Sequence, residues 1–108
     1  MTKKEHWDRV GQMRCCITGR PNPTLHHCKS GSMTAISGLK SQNQKPNDFL
    51  VIPLDAQLHT GGLGIDSGMG VKSWEARFGT QVMHLDRLCK ALGYNVWKLA
   101  GIDREVAL

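Results

Sequence analysis

The chain has 108 residues, 14 Lys or Arg against 9 Asp or Glu, 40% hydrophobic residues and 12 glycines. That length and composition bound one domain, 1–108, with a modest core and a large share of loop; a metal ion, a partner chain or a bound polymer would supplement so small a core. No apolar run approaches the roughly 18 residues of a membrane span, and "MTKKEHWDRVGQM" has no hydrophobic stretch behind its basic residues, so a signal peptide is excluded and the cytoplasm is expected. Charge is uneven: residues 1–45 hold eight basic residues against two acids, and residues 46–108 six against seven. A polyanionic partner explains the basic half, with a merely soluble basic surface as the alternative.

In chain order, "KEHWDRVGQ" (4–12) predicts a short helix with Trp7 and Val10 inward. "MRCCITG" (13–19) reads as a strand ending in the turn "RPNP", and "TLHHC" (24–28) as a second strand, so that 13–28 forms a hairpin. Residues 29–48 are a long polar connection. "FLVIPL" (49–54) reads as a buried strand stopped by Pro53, and "DAQLH" opens a short helix. "TGGLGIDSGMG" (60–70) carries five glycines and is a loop. From Val71 to Leu92, apolar residues Trp74, Phe78, Val82, Leu85, Leu88, Cys89 and Leu92 recur at helical spacing, with Lys72, Glu75, Arg77 and Lys90 on the outer face. Gly79 costs such a helix about 1 kcal/mol and divides it at "FGT", where Thr80 caps a second segment. Gly93 ends it, and "NVWKLAGI" adds a final turn or short helix.

Five histidines are present. His84 reads as a boundary or solvent residue and His6 has no assigned role. His26 and His27 are adjacent on a strand, so their side chains leave on opposite faces and take separate tasks, one as a metal ligand and one activating water. His59, at the end of the short helix, and Asp66, the acid of the glycine-rich loop, complete a two-histidine, one-carboxylate set with His26. The alternative is a structural zinc closed by Cys15, Cys16 or Cys28 with a histidine, although the CxxC pair such a site favours is missing. Adjacent Cys15 and Cys16 are awkward disulfide partners, and free thiols, core residues or ligands suit all three. No phosphate-binding GxxxxGK loop, HExxH or GxSxG motif competes.

"CCITG", "LHHC", "NDFLVIPLDAQLHTGGLGIDS" and "WEARFGTQ", in that order, resemble the HNH or ββα-metal (His-Me finger) nucleases, and within them the phage recombination-enhancement group that depends on RecA. The resemblance implies an α+β fold, a small ββα-metal finger with a C-terminal helix packed against it. It implies a metal-dependent DNA endonuclease of phage or prophage recombination with little sequence specificity, acting on DNA or a RecA-coated filament. His26 and His59 would be metal ligands and His27 the general base. Asp66 stands where the family usually has a further histidine, which turns preference toward Mg²⁺ or Mn²⁺, with Zn²⁺ also open. Asn47 would brace the base by residue type, with Asp48 the better placed alternative. Arg14, Arg20 and Lys29 would hold flanking phosphates. The fold leaves room for a homodimer. A nucleic-acid-binding protein on a degenerate finger is the competing reading.

Overall fold

The computed structural model describes residues 1–37, 39 and 47–108, so the middle of the expected long connection lies outside the described residues. Helix α1 spans Lys3–Gly11 and opens with a capping box. The Thr2 hydroxyl accepts from the Glu5 amide while the Glu5 carboxylate accepts from Thr2, which pairs donors that a helix start otherwise leaves orphaned. Val10 is buried as its spacing predicts, and so is His6. The His6 ring meets the Tyr94 hydroxyl at 2.8 Å and the Phe49 carbonyl at 3.1 Å, and it anchors α1 to two distant parts of the chain.

The expected hairpin over 13–28 does not form. Strand β1, Thr24–His27, pairs antiparallel with β2, Val51–Leu54, so that His26 lies opposite Ile52 and His27 opposite Val51. "MRCCITG" is instead a run of turns in which the Cys15 sulfur accepts from the Ile17 and Thr18 amides, both at 3.4 Å. Pro53 does not stop β2 but lies within it. The Cys28 amide donates to the Leu50 carbonyl at 2.8 Å, and antiparallel alternation then places Pro53 opposite Leu25 at a pair that exchanges no ladder bonds. A proline costs nothing there. Its carbonyl, facing the other way, accepts from the Cys16 amide at 3.0 Å.

All four β2 residues are buried. Covering Val51, Ile52 and Leu54 contributes about 1.5–3 kcal/mol each, and makes β2 the spine against which α1 and α4 pack. Helix α2, Ala56–His59, follows at once, capped by the Asp55 carboxylate on the Gln57 amide. Helices α3, Val71–Phe78, and α4, Gln81–Leu92, are separated at Gly79, whose φ of +98° suits only glycine. Thr80 caps α4 through the Met83 amide, Gly93 ends it in the left-handed conformation, and α5, Val96–Leu99, follows. The architecture is α+β: strands β1 and β2 with α2 form a ββα-metal finger core, and the remaining helices surround it. Among the described residues no helix is long and apolar enough to cross a membrane.

Two expectations about side chains are corrected, and the choice left open for the cysteines is narrowed. His84 is buried, its Nε2 on the Phe78 carbonyl at 2.8 Å, where it satisfies the end of α3. Glu75 turns inward rather than to the outer face and accepts from the Ser32 amide, the Ser32 hydroxyl and the Gln81 amide. Burial pushes its carboxyl up, but the hydrogen bonds from Gln81 and Ser32 together outweigh that and hold it below the ordinary range. Cys15 and Cys28 are buried core thiols and Cys16 is exposed; all four cysteines are free, and none joins a group of three metal-ligating residues among those described.

Candidate metal centre

Three elements bring three side chains to one point. His26 comes from β1, His59 is the last residue of α2, and Asp66 stands in the glycine-rich loop. One ligand atom from each lies within 4.8 Å of the other two. His26 Nδ1 and His59 Nε2 both lie 3.0 Å from the same carboxylate oxygen, Asp66 Oδ2, and the two rings meet edge to face.

The loop that carries Asp66 is ordered by its own backbone. The Ile65 amide donates to the Leu58 carbonyl at 3.0 Å and the Asp66 amide to the His59 carbonyl at 3.1 Å, lacing the loop back onto α2. Glycine is required where the strands of this loop touch. A Cβ on Gly64 would sit 2.7 Å from the His59 carbonyl oxygen, and one on Gly68 would collide with the Gly62 carbonyl. The glycine richness visible in the sequence is therefore the means of holding one carboxylate against two rings.

Hydrogen bonds on the far side of each ring decide which nitrogen carries the proton. The Thr24 hydroxyl lies 2.9 Å from the Leu54 carbonyl and 2.8 Å from His59 Nδ1, so with its proton on Leu54 it accepts from an Nδ1–H of His59. That arrangement turns His59 Nε2 toward Asp66. His26 Nε2 lies 2.9 Å from the Gln81 amide oxygen and donates to it, which leaves Nδ1 bare. Burial lowers the pKa of His26, so its ring is neutral at neutral pH. One nitrogen of each ring and one carboxylate oxygen thus converge on a single point. Three converging lone pairs repel one another unless a cation or a proton lies between, so the donor set fits a divalent ion.

His27 leaves β1 on the other side. Its Nε2 lies 3.0 Å from Asp48 Oδ1, and its ring packs edge-on against Trp7, centroids 5.5 Å apart. The Trp7 indole donates to the Asp48 carbonyl at 2.6 Å, and Lys3 reaches the other Asp48 oxygen at 3.8 Å. A carboxylate on Nε2 keeps the proton there and makes Nδ1 the basic nitrogen. The Asn47 side chain hydrogen-bonds elsewhere: its amide donates to the Ala100 carbonyl and its oxygen accepts from the Phe49 amide. The bracing contact belongs to Asp48 because Asn47 is spent on closing the turn into β2 and tying down α5.

Lys29 is exposed, its backbone held by Gln81. Arg20 is exposed beside Asp55 at the start of α2. Arg14 donates to the Gly19 carbonyl and lines a groove with His84 and Arg87 that includes none of the three cluster residues. Sequence reasoning assigned no role to Gln81, Thr24 or Glu75. No spacing rule marks a polar residue whose partners lie far away in the sequence. Comparison with models of known protein families, with curated proteins and with solved structures gives no match to this chain.

Proposed function

We propose that this chain is a divalent-metal-dependent DNA endonuclease of the HNH type, serving phage or prophage recombination on DNA or RecA-coated filaments. The observation that carries the reading is the convergence of His26 Nδ1, His59 Nε2 and Asp66 Oδ2 at one point on a ββα finger. The ordered motif string that resembles those nucleases supports it, as does the basic amino-terminal half.

His26, His59 and Asp66 would hold a divalent ion, which when bound would supply Lewis-acid stabilisation of charge on the scissile phosphate and the departing oxygen. His27, kept in its Nε2–H form by Asp48, takes a proton from water at Nδ1. The water oxygen forms a bond to phosphorus, the P–O3′ bond breaks in line with it, and the departing oxygen takes its proton from solvent. Lys29 and Arg20, both exposed, hold neighbouring phosphates, with Arg14 as a more remote contact. Such contacts position DNA without reading bases, so cleavage has little sequence preference.

Supercoiled plasmid, alone and with RecA filament, is incubated with Mg²⁺, Mn²⁺ or Zn²⁺. The parent nicks it only when an ion is present. His27→Ala lowers cleavage at least about 100-fold with an unchanged circular dichroism spectrum. Equal activity of the H27A protein removes His27 as the base. No cleavage under any condition defeats the nuclease reading and leaves a DNA-binding module.

A further inference from the structure

Gln81 is the first residue of α4 and is fully buried, a place an amide occupies only when its polar atoms are paired. Its Nε2 donates to the Lys29 carbonyl at 3.0 Å and the Ser30 carbonyl at 3.3 Å. Its Oε1 accepts from the Lys29 amide at 3.1 Å and from His26 Nε2 at 2.9 Å. These contacts fix the orientation of the amide: turned over, its NH₂ would face the Lys29 N–H and its oxygen would face two carbonyls. With the oxygen toward the ring, His26 must be the donor.

The backbone that Gln81 grips is itself strained. Ser30 has φ +61° and ψ −172°, a region that is almost exclusively glycine's, and Gly31 follows at φ +52°. A non-glycine residue there is strained and persists only when its surroundings over-determine it. The Gln81 side chain on Lys29 and Ser30, together with Glu75 on Ser32 and on the Gln81 amide itself, is that over-determination. One carboxamide therefore joins a ring of the candidate metal centre, a strained turn and the start of α4.

We infer that Gln81 is a positioning residue: its carboxamide holds His26 in the Nε2–H tautomer, with Nδ1 presented to the position shared by His59 and Asp66. The inference rests on the reading of that cluster as a metal site. A residue that only stabilised the fold would not affect which nitrogen of His26 is protonated, nor metal affinity per folded molecule.

The test reads both quantities. In ¹⁵N-labelled, metal-free parent at about pH 8, where neutral imidazole prevails, long-range ¹H–¹⁵N correlations show His26 protonated at Nε2 and bare at Nδ1. A neutral ring protonated at Nδ1 overturns the inference without any variant being made. Gln81→Met keeps the side chain's length and removes the acceptor; it mixes the His26 tautomers and weakens Mn²⁺ binding by about 10- to 100-fold in titration calorimetry. Gln81→Glu keeps an acceptor for the ring and restores affinity to within about threefold of the parent, even where its melting temperature falls. Parental affinity and tautomer in Q81M, or equal loss in Q81E and Q81M, overturns the inference. Failure of the parent to bind Mn²⁺, Mg²⁺ or Zn²⁺ defeats the metal-site reading instead; the tautomer of His26 in the parent and in Q81M then still decides the role of Gln81.

Discussion

On one side of β1 the His26 side chain is 1% exposed, bonded through one nitrogen to Gln81 and set by the other against Asp66 and His59. On the other side the His27 side chain is 31% exposed, braced by one carboxylate and the edge of an indole. The two residues are adjacent in sequence and share a strand, and what differs is what the fold lays over each face. A ligand benefits from a dry site and a settled tautomer, because every competing proton or water weakens it. A base must meet water and let go of its proton, so it needs one partner to orient it and an open side.

If this division is correct, the two alanine substitutions separate in stability as well as activity. His26→Ala opens a buried space and takes one of the two donors from the Gln81 oxygen, and it lowers unfolding free energy by about 2–4 kcal/mol. His27→Ala, half-open to solvent, lowers it by less than about 1 kcal/mol. Urea denaturation of the two metal-free variants checks this; equal losses would mean that the faces do not differ as described.

Asp66 tests the buried side more finely. Asp66→Ala weakens Mn²⁺ binding about 100-fold or more in calorimetry, because it removes the carboxylate that faces both rings. Asp66→His keeps three donors and turns preference from Mg²⁺ and Mn²⁺ toward Zn²⁺, Co²⁺ or Ni²⁺. Unchanged affinity in D66A reduces Asp66 to a turn residue of the loop.

The open side is sharpened by comparing two neighbours. Asp48→Ala lowers cleavage about 10-fold at unchanged metal affinity, since His27 then loses the partner on Nε2. Asn47→Ala leaves cleavage per folded molecule unchanged and costs about 1 kcal/mol of stability, the value of its bonds to Ala100 and Phe49. Plasmid nicking beside thermal melts measures both. A larger activity loss in N47A than in D48A would return the bracing role to Asn47.

Much of the local structure was legible because its causes are local. The Thr80 cap, the break at Gly79 and the stop at Gly93 each depend on a residue and its neighbours within one turn, and so does the Asp55 cap that starts α2 and brings His59 to its last position. The separation of His26 from His27 follows from the two-residue period of a strand. The grouping of His26 with His59 and Asp66 was readable as chemistry, from residue types that suit a metal and from the ordered motif string.

Tertiary structure decided the rest. The partner of β1 is β2 and not the nearby "MRCCITG", because a fully buried strand offers more apolar cover than a turn-forming segment around two cysteines. Pro53 is tolerated because of the register that pairing adopts. His6, Glu75 and Gln81 are polar residues that helical periodicity counts as outward or neutral, and each lies inward because a partner at a distance satisfies it. For Gln81 those partners are 51 to 55 residues away in sequence. Hydrophobic patterning weighs a side chain by its own transfer free energy, whereas a buried amide is stabilised by groups that only the folded chain brings to it.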